Sequence, residues 1–329
     1  MTQSNKIVLV VGGTGAQGVP VIEGSLETAE ARSLSSLSHV TLFQGDCYNE
    51  SDLQKAFEGV QLAFVNTNGF AIGEKAEIYW GIRMYELARQ HHLEHFVWGG
   101  VDYGSKLGGF AKKYRCGHLD GKNKVTEYLK SQPTSPMAWS VLSSCPYIEM
   151  TQGGGSWGPR KDESDTWVFS VPLGNGAAPM IHLEDLGKYA RWIFDNRSES
   201  NGMNLEVATC HVSLKDLVEA FQNVTGKPAK SLDLTPEEYF SRKDLNNVNP
   251  DMKLAHGTDG SDSTVMTARE NFTGFHHVWR DNLASRDYKL LDKILPDRVK
   301  TLEEWMRKSN YTAGEFKPVL VDGKRGYFR

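Results

Sequence analysis

Long apolar runs are missing from this 329-residue chain. No stretch approaches the ~20 consecutive apolar residues that a membrane-spanning helix requires. The N-terminus, MTQSNKIVLVVGG, lacks the apolar region and small-residue cleavage site of a secretory signal. Cysteine is scarce: Cys47, Cys116, Cys145 and Cys210 stand in no CxxC or other metal-ligand spacing. That pattern speaks against a disulfide scaffold and reads as reduced thiols in a cytoplasmic protein, with the nucleus as the alternative. A dominant charge is missing as well. The 37 basic and 41 acidic residues are scattered and leave a net charge of -4. The densest basic cluster, Lys112-Lys113-Tyr114-Arg115, is too short for a nucleic-acid footprint. Neither direct nucleic-acid binding nor membrane binding is expected. The histidines include the adjacent pairs His91-His92 and His276-His277, whose side chains must diverge, so no metal site is expected either.

What is present is an alternation of two periods. Residues 6–11 (KIVLVV) are a continuous apolar, β-branched run, as in a strand buried on both faces of a parallel sheet. Strands are also expected at 39–44 (HVTLFQ), 60–66, 95–101 and 138–144. Helices are expected at 50–58, with Ser51 as N-cap, at 74–92, where Ile78, Ile82, Tyr85 and Ala88 form an apolar stripe, and at 118–131. Strands alternating with helices imply an α/β fold with a doubly wound parallel sheet. After Pro146 the pattern breaks. Residues 152–180 read as Gly- and Pro-rich extended loops. Helices follow at 183–195, 213–226, 236–243 and 300–309, with a strand near 204–208. Residues 1–150 thus form a sheet domain, and 151–329 a smaller α+β lobe with pieces interleaved into the first.

Gly12, Gly15 and Gly18 form a GxxGxxG turn between the first strand and a helix. Glycines there permit a tight turn and close backbone approach to a pyrophosphate, which also meets the positive end of the helix. Gly12, Thr14, Gly15, Ala16, Gln17 and Gly18 are therefore candidate cofactor-binding residues in a Rossmann-type domain.

Several further segments carry a resemblance. His95-Phe96-Val97-Trp98, the run His118-Leu119-Asp120-Gly121-Lys122 with Val125, Glu127 and Tyr128, and Pro179-Met180-Ile181 with Glu184-Asp185-Leu186-Gly187 belong to it. So do Thr267-Ala268-Arg269-Glu270-Asn271-Phe272 and Glu303-Glu304-Trp305-Met306. Together with the glycine turn they resemble the NmrA-like family of atypical short-chain dehydrogenases/reductases, in its fungal form, over nearly the whole chain. The resemblance implies binding of NADP(H), with NAD(H) as the alternative. It also implies one of two roles: an oxidoreductase acting on a small-molecule carbonyl, imine or alkene, or a non-catalytic redox or transcriptional regulator working through a protein partner. Fold does not decide between them.

Active short-chain dehydrogenases carry Tyr-x-x-x-Lys on the helix that here reads His118-x-x-x-Lys122. The spacing puts both side chains on one face. By resemblance Lys122 keeps the nicotinamide ribose, and His118 stands where the proton donor would be, with an ordinary pKa of about 6.5. Tyr114, one turn earlier, could reach the same cleft if the helix starts early. Tyr239-x-x-x-Lys243 lies outside the βαβ context and reads as chance. Asn66, Thr67 and Asn68 end a strand where relatives line the cofactor. Pro146, Tyr147 and Ile148 resemble the loop over the nicotinamide. Trp157 and Trp167 are candidate pocket walls, though ordinary packing is the commoner role of such residues.

One piece is short. Only a single strand-like run, 39–44, separates the first helix from the next. Read from the residues, it is the second strand and Asp46 is the acid that meets the adenosine ribose. Read by resemblance, it is the family's third strand, and Ala29–Ser38 matches the end of the preceding connection. The second strand and the Arg that holds the 2′-phosphate are then missing. The flanking match favours the second reading, which implies unpaired backbone groups in the sheet, weak cofactor binding and little preference for NADP over NAD, or a degenerate member with no cofactor.

Overall fold

The apolar runs converge on one parallel sheet. The computed structural model describes residues 6–13, 15–24, 39–152, 156–242, 249–255 and 262–313. Strands β1 (Val8–Val11), β2 (Leu62–Val65), β3 (His95–Val101), β4 (Ala138–Ser144) and β8 (Asn204–Glu206) lie in the order β1-β2-β3-β4-β8, all parallel. Between β4 and β8 run the short strands β5 (Arg160–Lys161), β6 (Trp167–Phe169) and β7 (Ala177–Met180), and after them come β9 (Cys210–Ser213) and β10 (Ala229–Ser231). These make two small sheets, β10-β6-β5 and β7-β9. The stretch 152–180 is therefore not only loop: Trp167–Phe169 pairs on both sides despite its Gly- and Pro-rich surroundings.

The helices are α1 (Gly18–Gly24), α2 (Glu50–Phe57), α3 (Gly69–Gln90), α4 (Gly104–Leu107), α5 (Gly117–Lys130) and α6 (Leu183–Asp195). They continue as α7 (Arg197–Ser200), α8 (Leu214–Thr225), α9 (Pro236–Ser241), α10 (Ala268–Arg280), α11 (Tyr288–Ile294) and α12 (Leu302–Lys308). Among the described residues, no helix is long and apolar enough to cross a membrane. Helix α2 is capped by Asn49 rather than Ser51: the Asn49 carboxamide oxygen accepts the Asp52 N–H at 3.2 Å. Helix α3 is broken at Gly73 (φ +76°), so its long part starts close to the expected residue 74.

Strand alternation divides the core. Ala63, Val65, Phe96 and Trp98 face Met84, Tyr85, Val125 and Leu129 of α3 and α5. Phe64, Val97 and Leu142 face Val21 of α1 and Tyr189, Ala190 and Ile193 of α6. A third core joins Phe169, Phe221, Trp279, Trp305 and Tyr311 under the small sheets. Residues beyond 150 contribute β8 to the large sheet as well as building the third core.

The segment 39–44 does not form the expected strand. Leu42 and Phe43 are exposed, at 58% and 52%. A strand persists only where a neighbour takes its N–H and C=O groups. Among the described residues β1 pairs with β2 alone, and no strand pairs with its other edge. Accordingly Val8, Leu9 and Val10 are half-buried, not buried on both faces. Residues Ala29–Ser38 lie outside the described residues.

Candidate functional site

In a parallel sheet all the loops after the strands gather at one edge. Here that edge opens into a cavity of about 500 Å³. The glycine turn forms one wall. Gly12 has φ +77°, and a Cβ on it would sit 2.8 Å from the Asn66 carbonyl oxygen. The Gly12 carbonyl accepts the Gly15 N–H at 2.9 Å, and a Cβ on Gly18 would collide with that same carbonyl. The backbone thus leaves a cradle that side chains would fill, directly at the start of α1. This fits a dinucleotide pyrophosphate. Gly12, Gly15, Ala16, Gln17, Asn66, Thr67, Asn68, His118, Lys122, Pro146 and Tyr147 all line the cavity. Thr14 lies outside the described residues. Gly18 packs behind the turn, Ile148 is fully buried in the third core, and Asp46 is exposed and away from the lining. The Asp46 carboxylate accepts the Tyr48 N–H at 2.8 Å. It is Cys47 and Tyr48, not Asp46, that reach the cavity.

Lys122 is the best-held polar group of the site. Its Nζ donates to Asn66 Oδ1 at 2.9 Å, to the Thr67 carbonyl at 2.8 Å and to Thr67 Oγ1 at 3.2 Å. It also pairs with Glu77 Oε1 at 3.1 Å, and Thr67 Oγ1 donates to the same oxygen at 2.7 Å. Glu77 is fully buried on α3. Gly69 and Gly121 lie against its carboxylate, where a Cβ would intrude. Burial pushes the Glu77 carboxyl up, and Lys122 and Thr67 pull it back.

His118 sits one helical turn before Lys122 and packs 4.6 Å from the Phe70 ring. Burial, outweighing the Asn271 hydrogen bond and joined by the Lys122 charge, lowers its pKa to about 4. The Asn271 carboxamide holds His118 Nδ1, with Nδ2 2.8 Å and Oδ1 3.2 Å from it. The ring is therefore neutral at pH 7, against the expectation of an imidazole titrating near its ordinary value. Tyr114 does not serve in its stead. The helix starts at Gly117, and the Tyr114 hydroxyl donates to Asp281 Oδ2 at 2.7 Å outside the cavity lining.

Beyond these residues the cavity continues into an aromatic chamber, of whose walls the sequence reading had singled out Trp157. Phe272, Phe275, His276 and Trp279 from α10 line it, with Trp157, Phe240 and Tyr239. Tyr239 thus borders the cavity although its spacing to Lys243 had read as chance; Lys243 lies outside the described residues. Trp167 instead packs against Phe221, 5.6 Å between centroids, away from the lining. Across the groove Gln17 Nε2 donates to Ser144 Oγ at 2.9 Å and to the Tyr147 hydroxyl at 3.1 Å. At the chamber's sheet side, Asp102 is held by a two-pronged bond to Arg286, at 2.8 and 2.7 Å.

A family model described as the NmrA-like family matches residues 4–265. The NmrA-like family domain-containing oxidoreductase lnaB of Aspergillus flavus is 26% identical over 82% of this chain and 91% of its own length. Among solved structures, the negative transcriptional regulator NmrA in complex with NAD superposes with a TM-score of 0.68 at 18% identity, covering 93% of this chain and 95% of that one. The Citrobacter sp. triphenylmethane reductase complexed with NADP(H) gives 0.66 at 15% identity, covering 92% and 99%. At these identities the two structures speak for the fold alone.

Proposed function

The chain belongs to the NmrA-like family, and from that premise we propose that it is an oxidoreductase that binds NADP(H), or NAD(H) in its place, and delivers a hydride to a small carbonyl, imine or alkene. On this reading residues 1–150 carry the cofactor and 151–329 wall the substrate. One observation carries the proposal: the cavity that the glycine turn and Lys122 line is lined also by Trp157 and by Phe272, Phe275 and Trp279 of α10, which would wall a second molecule beside the nicotinamide position. The reduced nicotinamide, when bound, supplies the hydride. The glycine turn would hold the pyrophosphate, and Lys122 Nζ, steadied by Glu77, would hold a ribose hydroxyl. Neutral His118 is no acid at pH 7, so the proton that completes the reduced product would come from water.

A second reading has its own support. Position 118 carries no tyrosine, and burial keeps the histidine there neutral at pH 7, so the residue at the place of the proton donor is no acid. This favours a nucleotide-sensing regulator that acts through a protein partner. Titration of the purified chain with NADPH and NADH, read by nicotinamide fluorescence, followed by a substrate screen with Lys122→Ala as control, separates the readings. Saturable binding with Lys122-dependent NADPH oxidation supports the enzyme. Binding with no turnover across the screen supports the sensor, and no binding of either cofactor overturns both.

A further inference from the structure

One wall of the cavity comes from neither the sheet nor a helix. Met252 and Leu254 line it, and both belong to the extended strap 249–255. The strap is sewn to the entry of α10. Leu254 N–H donates to the Met266 carbonyl at 3.0 Å, and the Ala268 and Arg269 N–H groups donate to the carbonyls of Met252 and Pro250 at 2.8 and 2.9 Å. The second lobe therefore carries the strap.

Its far end rests on the sheet domain. Ala255 N–H donates to the Phe70 carbonyl at 2.7 Å. Phe70 lies in the first turn of α3, which the break at Gly73 sets apart from the rest of that helix. Gly69, Phe70 and Ala71 of this turn line the same cavity. The turn directly follows Asn66 and Thr67, the two residues that accept from Lys122 Nζ. The seam between strap and turn thus lies beside the position given above to the nicotinamide ribose.

The seam is close but shallow. Gly73 has φ +76° and ψ 168°, a conformation essentially confined to glycine, and a Cβ on it would lie 2.8 Å from the Ala255 methyl. Ala255 itself stands at φ +70°, where a residue with a side chain is strained. Leu254 and Ala255 are buried, yet they belong to no hydrophobic core formed by the described residues. A void of about 20 Å³ lies at the contact, bordered by Gly69, Phe70, Gly73, Leu254 and Ala255. A strained segment seated outside any core, over a void, opens at lower cost than the core elements around it.

We propose that residues 250–255 are a lid over the nicotinamide half of the groove: the seam between Ala255 and Phe70 opens to admit and release the dinucleotide and closes over it. Closure gains what the empty cavity lacks, contact of Met252 and Leu254 with a bound ring, so the ligand shifts the lid toward its seated position. The proposal rests on the cofactor reading given above and not on turnover.

Amide hydrogen exchange of the full chain reads the seam directly. Without ligand, the Ala255 amide, bonded to α3, exchanges about ten-fold or more faster than the Leu254 amide, bonded on the α10 side. Saturating NADPH slows Ala255 by about ten-fold or more, and saturating ADP-ribose, which lacks the nicotinamide, leaves it unchanged. Two variants open the seam from opposite sides: Gly73→Ala, whose methyl meets Ala255, and Ala255→Pro, which removes the donor. In stopped-flow fluorescence each releases NADPH about ten-fold faster than wild type without associating more slowly. Either variant serves should the other fail to fold, and the exchange measurement needs neither. An Ala255 amide that NADPH leaves unchanged, equal protection by ADP-ribose, or release at the wild-type rate overturns the lid alone. Failure of wild type to bind NADPH at equilibrium overturns the cofactor reading, and the lid with it.

Discussion

Lys122 Nζ and Glu77 Oε1 lie 3.1 Å apart, with the lysine side chain 11% exposed and the glutamate not at all. The pair ties the middle of α5 to α3 beneath the loop that follows β2, and so fixes the one cation that lines the cleft among the described residues. Breaking a buried pair by removing one partner strands the other, at a cost of about 3–5 kcal/mol. In Lys122→Met the stranded group is a carboxylate that can escape by taking a proton. Burial already raises Glu77 above the usual carboxylate range, and losing the lysine removes the largest opposing influence. A group with a raised folded-state pKa is well tolerated below its unfolded value and becomes a liability as pH climbs through the folded one. The loss of unfolding free energy in Lys122→Met is therefore large at pH 8 and falls by about half or more at pH 5. Denaturant unfolding of both proteins at the two pH values checks this. An equal difference at both would mean that Glu77 is not the group left stranded.

Three histidines whose pKa burial lowers, His95, His118 and His276, give the wild-type chain an acid limit. His95 Nε2 is 2.8 Å from Ser140 Oγ, and Ser140 in turn donates to the Ser200 carbonyl at 2.6 Å. The imidazole must therefore donate, and its other nitrogen, Nδ1, has no partner. Burial, with Arg197 nearby, lowers His95 to about 4, and burial lowers His276 to about 3. Between these values and about 6.5 the unfolded chain binds protons that the folded chain refuses, so stability falls with pH. At pH 5 each histidine costs about 2 kcal/mol relative to neutral pH. Unfolding curves of wild type and His95→Asn should show the variant losing the smaller amount on acidification. Identical losses in the two would remove His95 from the account.

How much of this was legible in the chain depends on whether the signal was local. Strands β3 and β4 and helix α6 follow the sequence reading residue for residue, because each is a self-contained apolar pattern. The run at 39–44 has the same appearance, yet no partner strand lies beside it, and pairing is not a local property. Helix α10 went unread although Thr267 and Glu270 form a capping box. Asn271, His276 and His277 interrupt its apolar stripe, since one flank lines a cavity rather than a packed core. Glu77, among the charges Glu74 and Lys75, looks in sequence like a solvated face. Only the approach of α5 reveals it as buried.

Asp102 and Arg286 make a second buried pair. The Arg286 side chain is 0% exposed and the Asp102 side chain 3%, and Arg286 Nε also donates to the Val207 carbonyl at 3.1 Å. The pair bolts the end of β3 to the segment before α11. Arg286→Ala should destabilise by about 3–5 kcal/mol, and Arg286→Lys should recover little, because an ammonium cannot reproduce the planar fork. Arg286→Met combined with Asp102→Leu should be milder than either single truncation, since it leaves no lone buried charge. Equilibrium unfolding of the set decides. A lysine variant as stable as wild type would show that the fork geometry is immaterial.

The glycine turn sets the final expectation. A methyl on Gly18 would strike the carbonyl of Gly12, which already accepts the Gly15 N–H, so Gly18→Ala must open the turn rather than nudge a side chain. The turn packs against the Asn66 carbonyl, so its displacement carries into the cofactor groove while the cores between sheet and helices stay intact. NADPH and NADH should each bind at least about ten-fold more weakly to this variant, with near-native circular dichroism. Wild type itself should discriminate little between the two cofactors. Among the described residues Lys122 is the only cation lining the cleft, and it lies at the α5 end with Glu77, so a 2′-phosphate gains no charged fork to grip. Fluorescence titrations of both proteins with both cofactors test the two statements together. A submicromolar affinity for NADPH with a large preference over NADH would show that an anion-binding group reaches the adenosine end after all.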